Sequence, residues 1–281
     1  MSAQQRIGFM QGRLSPIVDG LIQSFPWDNW RQEISEASSI DLKMMEWTLD
    51  QNRLYDNPLM RPQDQQEICT LMRAHDFTIP SLTGDCFMQS PFWKAQGAEQ
   101  ESLKGDFLAI SEACASIGIT MIVVPLVDNG SVENKAQEDA LVTFLQGEMD
   151  FFKAKKLKVI FESDFAPAEL ARFIARLDAD VFGVNYDTGN SAALGFDPTE
   201  EITAYGERIV NVHIKDRVLG GTTVALGTGN ADFDAVFACL SEVGYQGNYI
   251  LQTARAQDED HLGILQKFRD MTASWISENG A

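Results

Sequence analysis

The sequence predicts an α/β fold, a (β/α)8 TIM barrel formed by a single domain over residues 1–281. Short apolar runs alternate with amphipathic helical stretches from one end of the chain to the other, an order typical of parallel sheets. Eight such units follow one another, which favours a closed barrel over an open sheet. The chain of 281 residues is also close to the roughly 250 residues of a typical barrel.

The eight predicted strands are short apolar runs, and four of them end in a polar residue. They are Ile7–Met10, Lys43–Trp47, Phe77–Ser81, Met121–Pro125, Lys158–Glu162, Phe182–Asp187, Val210–Ile214 and Tyr249–Gln252. Apolar residues between them recur at helical spacing. Pro167 suits the first turn of a helix, Asp232 suits a helix N-cap, and Gly244 follows a last turn.

Two loops that follow predicted strands are long, at residues 11–27 and 82–99. We expect exposed aromatic side chains in both of them: Phe25, Trp27, Phe87, Phe92 and Trp93. Such loops either fold over a pocket as lids or pack against each other or a second subunit.

Composition and charge exclude several classes of protein. The formal net charge is −19 and the 22 Lys and Arg residues are spread along the chain, which argues against nucleic acid as a partner. No apolar run approaches the roughly 20 residues of a membrane span, and the N-terminus does not resemble a signal peptide. The four cysteines are scattered and read as reduced thiols. We therefore expect a cytoplasmic protein with no membrane partner.

Polar residues end four strands in the second half of the chain: Glu162, Asp187, His213 and Gln252. A barrel directs the carboxyl ends of its strands toward one central point. Two carboxylates, one imidazole and one amide oxygen form a reasonable ligand set for a divalent ion such as Mn²⁺, Mg²⁺, Co²⁺ or Zn²⁺. His213 or Glu162 alone would be explained by a core hydrogen bond or a rim salt bridge, so the recurrence at matching positions carries the prediction.

Several motifs, in this order and spacing, resemble the xylose isomerase-like TIM-barrel superfamily and its sugar phosphate isomerases and epimerases. They are Phe9–Pro16, Glu46–Trp47, Ile160–Ser163, Asn185–Asn190, Val212–Asp216 and Gly227–Phe233. The resemblance implies a metal held by Glu, Asp, His and Glu from the last four strands. It assigns Glu162, Asp187 and His213 to the first three positions, whereas the fourth is Gln252.

Gln252 departs from the pattern because an amide adds no charge and cannot accept a proton. An epimerase of this kind uses two metal-bound carboxylates as bases on opposite faces of an enediolate. Three explanations stay open. The reaction needs one base only, Lys215 serves as the second acid/base, or the metal site and its activity have been lost.

The resemblance implies a metal-dependent isomerase or epimerase that acts on a small sugar or sugar phosphate. Glu162 would remove a proton next to the carbonyl, and Lys215 would stabilise the oxyanion or return the proton. The expected substrate-binding residues are Arg13, Glu46, Asn190, Arg217 and Arg255. For Glu46, support of a neighbouring strand-end residue is an equally good explanation, and each arginine alone more often forms a rim ion pair.

Three alternatives compete with this function. A lyase of the inosose or dehydroshikimate dehydratase kind needs the same metal and proton abstraction. A non-catalytic sugar-binding barrel would follow from a degraded metal site. A repair nuclease of the same superfamily is set aside, because the resemblance to its histidine-rich site fails: His75 and His261 lie in helical stretches. By analogy with related barrels, a homodimer or tetramer is possible.

Overall fold

The computed structural model describes residues 3–280 and contains a closed barrel of eight parallel strands. The barrel strands are β1 (Ile7–Met10), β2 (Met44–Thr48), β3 (Thr78–Thr83), β4 (Met121–Leu126), β5 (Lys158–Ser163), β6 (Phe182–Asp187), β7 (Ile209–Ile214) and β10 (Asn248–Leu251). Consecutive barrel strands are hydrogen-bonded neighbours, and β10 closes the ring by pairing with β1. All eight predicted strands are present, so the predicted fold class is confirmed.

Helices cover the outside of the barrel, and a two-stranded hairpin of β8 (Asp216–Arg217) and β9 (Thr223–Val224) follows β7. The helices are α1 (Trp30–Ser39), α2 (Pro62–His75), α3 (Asp85–Gln89), α4 (Gly97–Ile117), α5 (Lys135–Gly147), α6 (Met149–Lys155), α7 (Pro167–Ile174), α8 (Thr188–Leu194), α9 (Pro198–Tyr205), α10 (Phe233–Glu242) and α11 (His261–Asn279). None of the helices between residues 3 and 280 combines the length and the apolar character that a membrane span needs.

The predicted helix boundaries rest on local chemistry that the structure confirms. Pro167 occupies the first turn of α7, where its missing N–H is not needed. Asp232 caps α10, since its side chain accepts a hydrogen bond from the backbone N–H of Ala235. Gly244 follows α10 with a φ of +70°, a conformation that glycine adopts without strain.

The aromatic residues of the two long loops are not exposed, and that expectation was wrong. Phe25, Phe87, Phe92 and Trp93 are buried, while Trp27 is half-buried. They pack against the rest of the chain because each aromatic ring removes a large apolar area from water. The ring of Phe25, for example, lies 5.4 Å from that of Trp47 on β2. These rings belong to the core of the chain and do not form free lids.

The strand β3 extends two residues beyond its predicted end at Ser81. Thr83 continues the barrel ladder, because it pairs with Val123 and its carbonyl accepts a hydrogen bond from Leu49. The helix α3 then begins at Asp85. This longer strand brings Thr83 and Asp85 to the mouth of the barrel.

Candidate active site

Three of the side chains that were predicted to bind a metal ion meet at the carboxyl ends of β5, β6 and β7. Glu162, Asp187 and His213 each offer one ligand atom, and these atoms all lie within 4.8 Å of one another. His213 Nδ1 lies 3.1 Å from Glu162 Oε2 and 4.0 Å from Asp187 Oδ2. All three residues are buried. The structure therefore brings three of the four predicted ligand residues together.

Local structure orients each of the two carboxylates. Asp187 ends β6 and also caps α8, where its Oδ1 accepts hydrogen bonds from the backbone N–H groups of Gly189 (2.9 Å) and Asn190 (2.8 Å). The cap fixes the side chain so that Oδ2 is left to face the cluster. Glu162 is held by two amides, from Asn190 to Oε1 at 2.5 Å and from Asn185 to Oε2 at 3.2 Å.

His213 is oriented by a contact with Glu46. Its Nε2 lies 2.8 Å from Glu46 Oε1, and Ser81 and Asn211 donate to the other oxygen of the same carboxylate. Glu46 is fully buried. This geometry favours the alternative in which Glu46 supports a strand-end residue over one in which it contacts substrate. Carboxylate support of this kind is common behind metal-bound histidines.

The residues present fit a divalent metal ion. His213 Nδ1 is buried and has no hydrogen-bond partner, although two carboxylates face it. When Nε2 carries the proton and donates to Glu46, Nδ1 presents a lone pair to the space between Glu162 and Asp187. Two carboxylate oxygens and one imidazole nitrogen suit Mn²⁺, Co²⁺, Zn²⁺ or Mg²⁺.

The charges in the cluster perturb one another. Burial alone would lower the pKa of His213, but the carboxylates of Glu46 and Glu162 outweigh it and raise this pKa to about 10. Burial alone would raise the pKa of Glu162, yet the nearby positive charge of His213 holds it below its ordinary value. The pKa of Asp187 is raised by burial despite the nearby ammonium of Lys215. A cation is thus stabilised at the centre of this cluster.

Lys215, the residue that directly follows β7, extends its side chain to the cluster. Its Nζ lies 3.2 Å from Asp187 Oδ2, 3.2 Å from Asn190 Oδ1 and 3.3 Å from Gln252 Oε1. A Cβ added to Gly189 would lie 2.6 Å from Lys215 Cγ, so the lysine stem needs a glycine beside it. Lys215 therefore pairs with Asp187 and not with the adjacent Asp216.

Gln252 directly follows β10 at the same end of the barrel, and its amide oxygen contacts the ammonium of Lys215. The carboxylate of Asp216 is used elsewhere, since it accepts hydrogen bonds from the backbone N–H groups of Gly227 (2.9 Å), Gly229 (2.8 Å) and Ala231 (3.1 Å). Asp216 thereby fixes the loop after β9, and the glycines of this segment are explained by that loop.

The cluster opens into a cavity of about 550 Å³. Its lining includes Glu162, Lys215, Gln252, Asn190, Arg217 and Arg13. Among these predicted site residues, Arg217 donates to Asn190 Oδ1 at 2.8 Å and to the carbonyl of Gly221. Two larger cavities, about 900 and 700 Å³, lie beside the loop after β10 and do not include the cluster.

The predicted substrate-binding residue Arg255 lines those neighbouring cavities and not the one above the cluster. Its guanidinium donates to the carbonyls of Gly12, Ser15 and Ile22. Arg255 therefore holds the loop after β1 in place, because its donors are used by backbone oxygens. This geometry does not bring it to the metal-ligand cluster.

Sequence reasoning missed Asp85, which lines the same cavity. Burial raises the pKa of the Asp85 carboxyl well above its usual range, and the charges of Asp50 and Glu162 act in the same direction. The signal was present, because the rule that found Glu162 also applies to the end of β3. The predicted strand ends at Ser81, whereas β3 ends at Thr83. Asn185 and Asn211, which hold Glu162 and Glu46, lie two residues before Asp187 and His213.

The comparisons with known proteins agree with this architecture. The family model for the xylose isomerase-like TIM barrel matches residues 34–271. The L-ribulose-5-phosphate 3-epimerase UlaE of Salmonella paratyphi C is 33% identical over 266 residues, which cover 89% of this chain and 91% of that protein. An inosose dehydratase of Geobacillus kaustophilus is 31% identical over 102 residues, 30% of this chain and only 33% of that relative.

Solved structures share the fold at low sequence identity. A xylose isomerase-like TIM-barrel protein of Mycobacterium smegmatis, in complex with magnesium, superposes with a TM-score of 0.73 at 16% identity and covers 100% of both chains. The IOLI protein, with a bound zinc atom, gives a TM-score of 0.75 at 16% identity over 96% of this chain and 98% of that one. The matched family model and the epimerase relative show that the chain belongs to the xylose isomerase-like TIM-barrel family.

Proposed function

We propose that this protein is a metal-dependent isomerase or epimerase that acts on a small sugar or sugar phosphate by moving a proton next to a carbonyl. The observation that carries the proposal is the buried group of Glu162, Asp187 and His213. The unpartnered Nδ1 of His213 points between the two carboxylates. The similarity to an L-ribulose-5-phosphate 3-epimerase over 89% of the chain supports the reaction class.

Glu162, Asp187 and His213 would hold the metal ion. Gln252, which follows β10 and lines the same cavity as Glu162, would be the fourth ligand. Relatives of the same fold that were solved with magnesium or zinc support this part of the proposal. When bound, a divalent ion supplies Lewis-acid polarisation of a substrate carbonyl and its neighbouring hydroxyl.

Glu162 is the proposed base. It lines the cavity, and the amides of Asn185 and Asn190 fix its two oxygens. Its pKa lies below the ordinary value, against the effect of burial, because the positive charge of His213 lies close to it. The carboxylate is therefore ionised at neutral pH and ready to accept the proton from the carbon beside the carbonyl.

Lys215 is the proposed partner acid. Its ammonium lies within hydrogen-bond distance of Asp187 and Gln252 and lines the same cavity as Glu162. An ammonium at this point stabilises negative charge on the substrate oxygen and can return a proton to the enediolate. With Gln252 in the fourth position, the residues offer one carboxylate base and one cationic acid, not two carboxylate bases.

A dehydratase is the second candidate, and Gln252 is the observation that favours it. Loss of a β-hydroxyl after proton removal needs one base and one acid, which Glu162 and Lys215 supply. A sugar-binding protein without turnover is the third candidate, and it requires that the cluster does not hold a metal.

The proposed function is tested by adding Mn²⁺, Co²⁺, Zn²⁺ or Mg²⁺ and assaying ketopentose phosphates, ketohexoses and inososes for epimerisation, isomerisation and dehydration. Glu162→Gln should reduce turnover by about a hundredfold to ten-thousandfold, the usual contribution of a general base. Glu67→Gln is the matched control, because this exposed glutamate pairs with Arg31 on the surface. Wild-type turnover in Glu162→Gln would remove Glu162 as the base.

A further inference from the structure

Arg13 differs from the other arginines at the barrel mouth in what its guanidinium contacts. Arg255 and Arg217 each use all three of their nitrogens for oxygen atoms of the chain itself. Arg13 donates only through Nη1, to the carbonyl of Ile22 at 3.2 Å. Its Nε is buried without a partner, and in the described part of the chain none of the salt bridges includes Arg13.

The position of Arg13 is opposite that of the proposed base. It follows β1, and β5, which carries Glu162, is the fourth strand from β1 in either direction around the ring. Both side chains line the same cavity of about 550 Å³. A substrate whose reacting carbon lies at Glu162 would extend its far end toward Arg13.

A hydrogen-bonded turn positions the backbone of Arg13 at the mouth of the barrel. The carboxylate of Glu33 accepts hydrogen bonds from the backbone N–H groups of Gly12 at 2.8 Å and of Leu14 at 3.0 Å, on either side of Arg13. Gly12 has a φ of +91°, which favours glycine, and a Cβ there would lie 3.1 Å from the carbonyl oxygen of Ser24. The backbone that carries Arg13 is therefore fixed before a ligand arrives.

A buried cation without a direct ion pair is costly, and an anionic ligand would offset that cost. Arg13 is only 3% exposed. Burial, with a smaller effect of Arg255, lowers the pKa of Arg13 to about 9, although the charges of Asp85, Glu33 and Asp187 act in the opposite direction. The guanidinium therefore stays charged at neutral pH, and within the described residues no carboxylate forms a salt bridge with it. A planar guanidinium with free N–H groups matches the paired oxygens of a carboxylate or phosphate. The net charge of −19 repels anions from the rest of the surface.

We propose that Arg13 binds an oxyanion group of the substrate, at the end of the cavity opposite Glu162. The substrate class is then an acidic sugar, either a sugar phosphate or a sugar acid, and not a neutral ketose. This inference rests on the proposed function for the placement of the reacting carbon. It adds that the protein recognises a negatively charged group of the substrate at a distance from the reacting carbon.

The test is isothermal titration calorimetry on the full chain after dialysis against EDTA, so that a metal ion cannot bind the anion. The probes are inorganic phosphate, gluconate and the neutral polyol glucitol. The proteins are wild type, Arg13→Gln and Arg31→Gln, the last of which removes the same charge from an exposed ion pair with Glu67. Arg13→Gln should weaken anion binding by about tenfold to a hundredfold, the worth of a charge-assisted hydrogen bond.

Arg31→Gln should bind both anions as wild type does, and Arg13→Gln should not weaken glucitol binding. Tighter binding of phosphate supports a phosphorylated substrate, and tighter binding of gluconate supports a sugar acid. The proposal is overturned when wild type binds neither anion, or when Arg13→Gln and wild type bind them equally. Should Arg13→Gln fail to fold by circular dichroism, Arg13→Lys replaces it, since lysine keeps the charge but loses the planar fork. Weaker anion binding by Arg13→Lys supports the proposal, and unchanged binding overturns it.

The readout does not depend on turnover. Anion binding through Arg13 without activity on any sugar would contradict the proposed function alone. Activity on neutral sugars without anion binding would contradict the role of Arg13 alone.

Discussion

The two halves of the barrel mouth hold their charged groups in different ways. At the ends of β5, β6 and β7, Glu162, Asp187 and His213 lie close together, and Lys215 pairs with Asp187 at 3.2 Å. After β1 and β3, Arg13 and Asp85 line the same cavity, but neither forms a salt bridge within the described residues. We infer that the first group serves the chemistry and the second serves recognition of the substrate.

The two halves differ because the charged groups of the first already form ion pairs within the protein, whereas those of the second do not. Charges that neutralise one another within the protein can hold a metal ion and a reacting proton in fixed positions. Charged groups that are buried without a salt bridge are available to a ligand, whose own charged or polar groups can then pair with them. The comparison predicts that changes in the first group affect metal binding and turnover, whereas changes near Arg13 affect which substrate binds.

Among residues that are not proposed to bind the metal themselves, Glu46 should have the largest effect on metal affinity when it is changed to Gln. Glu46 belongs to β2, in the other half of the barrel, yet it orients His213 through a contact of 2.8 Å. Loss of such support costs about tenfold to a hundredfold in metal affinity. Titration of the EDTA-treated protein with Zn²⁺ or Mn²⁺ measures it. Glu201→Gln, a buried glutamate outside the cluster, is the control. Unchanged affinity in Glu46→Gln would show that His213 does not need this support.

Gln252→Glu should tighten metal binding by about tenfold, equivalent to about 1.4 kcal/mol, because it adds a negative charge beside the cluster. The amide oxygen of Gln252 lies 3.3 Å from Lys215 Nζ. Gln257→Glu adds the same charge next to the neighbouring cavities and should leave metal affinity unchanged. An unaltered affinity in Gln252→Glu would place this residue outside the coordination shell.

A separate expected effect, on folding and not on metal binding, is a change in how stability depends on pH in the half that contains Arg13. Burial raises the pKa of Glu33 from 4.5 to about 7, although Gly12, Ser15 and Leu14 donate hydrogen bonds to it. A raised pKa means that this contribution to stability is fully present below about pH 4.5 and is lost as the pH rises through about 7. The loss is on the order of 3 kcal/mol.

Glu33→Gln does not titrate, so its urea unfolding free energy should fall less between pH 5 and pH 7 than that of the wild type. The comparison concerns the slope with pH and not the absolute stability, because the amide also changes the hydrogen bonds to the turn. Equal slopes in the two proteins would contradict the raised pKa of Glu33.

The sequence was sufficient to predict the eight strands and the cluster at the ends of β5, β6 and β7. Strands such as Lys158–Ser163 are apolar runs bounded by polar residues, and their order determines which ends lie together. The half that contains Arg13 was predicted less well. The burial of Phe25, Phe87, Phe92 and Trp93 depends on how long loops fold over distant strands, which local pattern does not encode.

The sequence also could not predict which groups these charged side chains contact. Arg13, Arg217 and Arg255 occupy equivalent places after their strands, and only the structure distinguishes the two that bind oxygen atoms of the chain from the one that is largely free. The same holds for Glu46. Its position at the end of β2 fits both substrate contact and support of His213, and the distance to Nε2 favours support.

The most direct test of the account is the metal content of purified protein, measured by elemental analysis in wild type, Asp187→Asn and Asp197→Asn. Both aspartates cap helices through Oδ1, and asparagine retains a cap, so the two variants differ mainly in whether the lost charge lies in the cluster. We expect close to one equivalent of Mn, Co, Zn or Mg per chain in wild type and Asp197→Asn, and little in Asp187→Asn. A wild-type protein that does not take up added metal, or an Asp187→Asn protein that retains it, would contradict the account.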